Sequence, residues 1–257
     1  VDQMIQSVRD RGLNPLPVFV ASLKEAVSTE TVNAIFDQAT PDIILNSTGF
    51  SVSKPNGERA DSPLEKPDVP VIQVIFSGGN EDDWRENLNG LSARDIAMNV
   101  ALPEVDGRII SRAVSFKAEA RYDEATQLPV IAYKAVPDRI AFVCNLAQNW
   151  VQLARENVAS RRIALIFANY PNRDGRLGNG VGLDTPASAQ NFLHALDDAG
   201  YNVGEMPEDG NALINKLAAG PTNDLTDRSS REGGIKYAVT EYEKFFATLP
   251  DETQQQI

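Results

Sequence analysis

Two groups of residues in this chain have the types and spacing to do chemistry. The first is the run over 169–188, Asn-Tyr-Pro-Asn-Arg-Asp-Gly-Arg-Leu-Gly-Asn-Gly-Val-Gly-Leu-Asp-Thr-Pro-Ala-Ser. It offers Asn169, Arg173 and Arg176 as polar side chains, and Gly175, Gly178, Gly180 and Gly182 as points where the main chain can approach a ligand closely. Guanidinium groups and free backbone N–H groups are donors, so the chemistry they suit is anion binding. The second group is Glu104 and Asp106, at alternate positions in Leu102-Pro-Glu-Val-Asp-Gly107. In an extended segment both carboxylates would face one cleft, whereas in a turn they would cap or solvate it. Thr48, Phe50 and Ser51, after an apolar run, suit either a ligand or turn chemistry.

These residues need elements to hold them. Before the glycine-rich run, Arg161-Arg-Ile-Ala-Leu-Ile-Phe-Ala168 has the continuous apolar character of a strand buried on both faces. After it, Asp184 or Thr185 can cap a helix that has Pro186 at its start and Gly200 just past its end. The glycine spacing is GxGxG rather than the dinucleotide GxGxxG, and Gly182 is followed by Leu183 and Asp184 rather than by the Lys of a P-loop. By itself the loop fits an anion site or a bare connection equally.

Helices and strands alternate along the chain. Hydrophobic periodicity and turn residues predict a helix ending at Gly12, strands over 16–21, 42–46 and 69–76, a helix over 29–39 and helices from 81 and 92. A strand over 107–118, a surface hairpin over 119–136 and a long helix over 138–159 follow. The long helix shows two adjoining apolar stripes covering about half its circumference, which predicts a helix wedged between layers. Then come the strand over 162–168, helices over 186–199 and 210–219, a short strand over 201–204, a mobile polar loop over 221–234 and a last helix over 235–248. The expected class is α/β with mainly parallel strands: two Rossmann-like units joined by a long buried helix. Residues 1–136 form the first, with a polar loop over 51–68, and 137–257 the second, with the loop over 169–188.

Three single residues have ordinary explanations. His194, the sole histidine, projects opposite its helix's apolar stripe and is expected in solvent. Trp84 suits packing or a stacking platform, and Cys144 a small core position.

A net charge of −12 excludes nucleic acid and acidic membrane surfaces as natural partners. No apolar stretch approaches the ~18 residues of a membrane span. One cysteine allows no internal disulfide, which points to a reducing compartment, and no signal peptide is visible.

The run over 169–188 resembles the signature of the aerobic cobaltochelatase large-subunit family and, more loosely, that of the magnesium chelatase large subunit. Leu16-Pro-Val-Phe-Val20, Pro41-Asp-Ile-Ile-Leu-Asn46, Thr48-Gly-Phe-Ser51, Val69-Pro-Val-Ile-Gln-Val74, the run from Leu91 to Arg108 and Ala219-Gly-Pro-Thr-Asn223 occur in that family's order. The resemblance implies an internal piece of a much longer subunit. The intact enzyme would insert cobalt, its substrate ion, into a corrin precursor (hydrogenobyrinic acid a,c-diamide) in cobalamin biosynthesis. ATP would be hydrolysed by separate ATPase subunits, in keeping with the lack of a Walker motif here, and the complex would be cytoplasmic. Such a piece alone would not insert metal.

Chelation requires removal of pyrrole protons and a held macrocycle. The resemblance therefore implies Glu104 and Asp106 as catalytic residues. It implies Asn169, Arg173, Gly175, Arg176, Gly178, Gly180 and Thr48 as binders of the substrate. No spacing resembles a closed metal site, so metal ligands stay unassigned. The alternatives are a magnesium chelatase relative and a non-catalytic anion- or nucleotide-binding module.

Overall fold

A computed structural model describes the chain from Val1 to Ile257 except residues 55, 56, 58, 59, 169–173, 223–225, 227–229 and 232. It divides into two compact units, Val1–Arg155 and Glu156–Ile257.

In chain order the first unit contains α1 (Asp2–Arg9), α2 (Ala26–Gln38), β1 (Ile44–Asn46), a 3-10 turn (Pro63–Glu65), β2 (Val71–Phe76) and α3 (Glu81–Glu86). There follow α4 (Ala93–Ile96), a π-helical turn (Ala97–Ala101), α5 (Leu102–Val105), β3 (Ile109–Asp123), β4 (Leu128–Ala135) and α6 (Pro137–Arg155). The sheet order is β1-β2-β3-β4, with the first two pairings parallel and the β3–β4 hairpin antiparallel. The chain is therefore α/β.

β2 is apolar throughout except for Gln73 because both its faces are covered. Ile72 and Val74 pack with Val8 of α1 and with Ile140, Val143, Cys144 and Ala147 of α6. Ile75, on the other face, packs with Ala113, Phe116, Val136 and the partly buried Trp84, Leu91 and Val100. Each Val, Ile or Phe side chain removed from water there contributes about 1.5–3 kcal/mol. Local signals set the helix starts: Asn80 and Ser92 accept from Asp83 N–H and Asp95 N–H and so cap α3 and α4.

α6 differs from the wedged helix of the sequence reading. Its buried residues Ile140, Val143, Cys144, Ala147 and Val151 form one stripe, whereas Phe142 and Leu153, part of the expected apolar arc, are exposed. Phe142 is shielded instead by the Arg112 guanidinium, 3.5 Å from its ring centre. The helix packs within the first of the two compact units.

The second unit contains α7 (Thr185–Asp198), α8 (Gly210–Ala219), α9 (Val239–Phe246) and α10 (Asp251–Gln256), preceded by 3-10 turns at Val158–Ser160 and Asp174–Arg176. Asp184 caps α7 through Ala187 N–H, and Asp209 caps α8 through Ala212 N–H. Gly200 ends α7 at φ 84°. The starts of α7 and α8 touch backbone to backbone: a Cβ on Gly210 would lie 2.9 Å from the Pro186 carbonyl carbon.

The runs over 16–21, 162–168 and 201–204 were expected as strands but join no ladder. An apolar run becomes a strand only when a partner supplies its hydrogen bonds, and Phe19, Ile163, Leu165 and Ile166 are exposed. The described residues of the second unit therefore show no strand, and no second Rossmann-like sheet. The last helix, expected over 235–248, spans Val239–Phe246, and a further short helix follows Pro250. The polar loops expected over 51–68 and 221–234 lie partly outside the described residues.

Candidate functional site

The first cluster sits beneath the loop after β1. Asn46 on β1 and Gln73 on β2 are register partners, so their side chains share a face, and Asn46 Nδ2 donates to Gln73 Oε1 at 2.7 Å. The Thr48 carbonyl accepts from Asn46 Nδ2, Gln73 Nε2 and Arg108 Nη1 at 3.0–3.1 Å. Its hydroxyl donates to Asn46 Oδ1 at 2.9 Å. These polar contacts of Thr48 hold the loop rather than project from it.

Asp106 lies at the other end of this network. Arg108 Nη2 donates to its Oδ2 at 2.9 Å, and both side chains are almost wholly buried. Val52 N–H and Ser53 N–H donate to its two oxygens at 2.7 and 2.9 Å. Burial alone would raise the Asp106 pKa, but the Ser53 and Val52 amides, the Ser53 hydroxyl and Arg108 outweigh it and hold the carboxyl below its usual range. Burial likewise lowers the Arg108 pKa, opposed by Asp106.

The two acidic candidates therefore do not share a cleft. Residues 102–105 are helical rather than extended, so Glu104 turns to solvent while Asp106, past the helix end, turns inward. The reason is the π-helical turn before Pro103, which carries the helix through the proline. Neither residue lines the cavity of about 410 Å³ beside the end of β2, whose walls include Ser77, Asn80, Asp83, Trp84, Glu86 and Ser92. Asp95 braces that strand end by accepting from the Ser77 hydroxyl at 2.7 Å and Gly78 N–H at 3.1 Å.

Trp84 is packed rather than open as a platform. Phe116 lies 5.1 Å from it between ring centres, and the Arg139 guanidinium 4.5 Å from its ring centre. His194 is exposed and Cys144 fully buried, as expected.

The second cluster is the glycine-rich loop. Asn169 and Arg173 lie outside the described residues. From Asp174 onward the loop is anchored at its middle and exposed on either side. Gly178, at φ 70°, is buried, with its Cβ position 3.4 Å from Ile214 of α8. Gly180 bridges to Leu183, and a Cβ there would meet the Thr185 hydroxyl at 2.9 Å. Gly175 and Arg176 are exposed. The N–H groups of Gly175, Val181 and Gly182 take no backbone acceptor outside helices among the described residues. One exposed guanidinium beside these amides can receive a carboxylate.

Gln73, Arg108 and Arg231 were missed from sequence. A glutamine inside an apolar strand is a readable signal, since a buried amide needs partners. Arg231, in an unpatterned segment, gave none.

Within the described residues there is no helix long and apolar enough to cross a membrane and no cluster of three metal-ligating side chains. Residues 1–257 match the family described as CobN/Magnesium Chelatase. The chain is 49% identical to an aerobic cobaltochelatase subunit CobN of Sinorhizobium sp, over 100% of its own length and 20% of that protein's. It is 44% identical to the subunit of the same name from Pseudomonas aeruginosa, over 96% and 20%. Among solved structures it resembles the catalytic subunit of cobaltochelatase from Mycobacterium tuberculosis at a TM-score of 0.75 and 34% identity, covering 99% of this chain and 21% of that one. The chain thus spans about a fifth of the length of these relatives. Coverage of all 257 residues by one family shows that the chain belongs to the CobN/magnesium chelatase family.

Proposed function

We propose that this chain is a part of the tetrapyrrole-binding large subunit of an ATP-dependent cobaltochelatase, working in the cytoplasm with separate ATPase subunits on a corrin precursor. The observation that supports this reading most is kinship with cobaltochelatase subunits along the whole of this chain at nearly half identity. The glycine-rich loop supports it chemically. A corrin precursor carries carboxylate side chains, and in a chain of net charge −12 it needs local donors. Arg176 and the amides of Gly175, Val181 and Gly182 are such donors, with Asn169, Arg173, Gly178 and Gly180 part of the same loop.

Of the two acidic candidates, Glu104 is proposed as the proton acceptor. Asp106 is committed to Arg108 and two amides, and a carboxyl held in its charged form is a poor base at neutral pH. Thr48 and Asp106 are reassigned to holding the loop after β1.

The test is a titration of the 257-residue chain with a carboxylated porphyrin and, separately, with ATP. A shift of the porphyrin's visible bands without ATP binding is expected. Tight ATP binding with no porphyrin response would favour a nucleotide-binding module. Arg176→Ala is expected to weaken porphyrin binding by about 1.5–3 kcal/mol, the usual worth of a hydrogen bond to a charged group, read from the same titration.

A further inference from the structure

We propose that Arg231 is a positioning residue that holds the start of the glycine-rich loop in its substrate-receiving shape, by clasping Asp174. The inference rests on the reading of that loop as a carboxylate site.

Arg231 joins two pieces of chain far apart in sequence. Its Nη2 donates to Asp174 Oδ2, across 57 residues. Its Nη1 donates to the carbonyls of Ala218 at 2.9 Å and Gly220 at 3.2 Å, and to the Thr222 hydroxyl oxygen at 3.1 Å. The Thr222 hydroxyl in turn donates to Asp174 Oδ1 at 2.5 Å. Both charged side chains are largely shielded, at 15% and 25% exposure.

The arrangement follows from the end of α8. The last carbonyls of a helix lack intrahelical donors and form its negative pole, so a guanidinium there is doubly favoured. Arginine's fork leaves its second nitrogen free to reach a carboxylate, which lysine cannot do while keeping the carbonyl bonds. The carboxylate it reaches is the residue directly before Gly175 and Arg176. Among the described residues a Cβ on Gly175 would meet no atom within 4 Å, so no side chain packs on that face of the glycine. The clasp supplies the restraint: with Asp174 held, the amides of Gly175 and Arg176 keep a defined direction.

The same contact joins two of the family-like motifs, the run over 169–188 and Ala219-Gly-Pro-Thr-Asn223. One contributes Asp174, and the other contributes Gly220 and Thr222.

The experiment titrates the 257-residue chain and its variants with a porphyrin bearing eight peripheral carboxylates, with amide hydrogen exchange measured alongside. Arg231→Met is expected to raise the Kd about tenfold through lost preorganisation. Exchange at Gly175, Arg176 and Leu177 should quicken while the middle of α8 keeps its protection. A purely structural role would loosen α8 as well, and that outcome would overturn the proposal. Should Arg231→Met unfold the unit, Arg231→Lys decides, since it keeps the charge at the end of α8 and loses the fork. Severalfold weaker binding by a folded Arg231→Lys supports the clasp, and undiminished binding overturns it. Arg176→Ala separates the two readings. If it weakens binding and Arg231→Met does not, the loop site stands without the clasp. If neither does, the loop site itself falls.

Discussion

Asp106→Ala is expected to destabilise the first unit by about 3–5 kcal/mol, because it leaves the Arg108 guanidinium buried without its counter-charge. Two backbone amides, at Val52 and Ser53, lose their acceptor in the same step. Urea unfolding followed by tryptophan fluorescence measures this directly. The double variant Asp106→Ala/Arg108→Met should recover much of the loss, since a buried pair replaced by apolar groups is often close to neutral. A single-variant loss below about 1 kcal/mol, as for an exposed ion pair, would sink this account. The pH dependence has a definite sign. The folded pKa of Asp106 is depressed, so its contribution is complete above the usual carboxylate value of 3.8 and is lost as pH falls below that value through the folded one. The acid limb of the stability profile should therefore be shallower in Asp106→Ala.

Glu104→Gln is expected to leave folding and macrocycle binding intact and to slow metal insertion by about 10²–10⁴-fold in the complete enzyme with its ATPase partners, the worth of general acid–base catalysis. The separation of effects is possible because Glu104 is exposed and no hydrogen bond or ion pair holds its carboxylate among the described residues. It also stands in the last turn of the helical run over 93–105, where the helix dipole disfavours a negative charge. Glutamine there should not destabilise, so a slowed rate would report chemistry rather than unfolding. Insertion at the normal rate would make Glu104 a surface residue of the turn before β3. Asp106→Ala and Glu104→Gln should thus fail in opposite ways, one in stability and the other in turnover.

Sequence alone determined what local chemistry controls. A cap for α7 at Asp184 or Thr185, its stop at Gly200 and the apolar β2 are each written within a few residues, and Asp184, Gly200 and β2 take those roles. Family membership was legible for the same reason, because motifs are contiguous strings. Tertiary structure decided everything that depends on a distant partner. The run over 162–168 has a strand's composition, yet strand formation needs a second backbone, and composition does not say whether one is in reach. Glu104 and Asp106 alternate, but whether alternate residues share a side depends on the segment being extended, and the π-helical turn made it helical instead. The guanidinium that reaches Asp174 comes from Arg231, 57 residues away in the chain, and no contiguous string announces it. Ion pairing depends on distance in space, and chain order constrains that distance only within a turn or two.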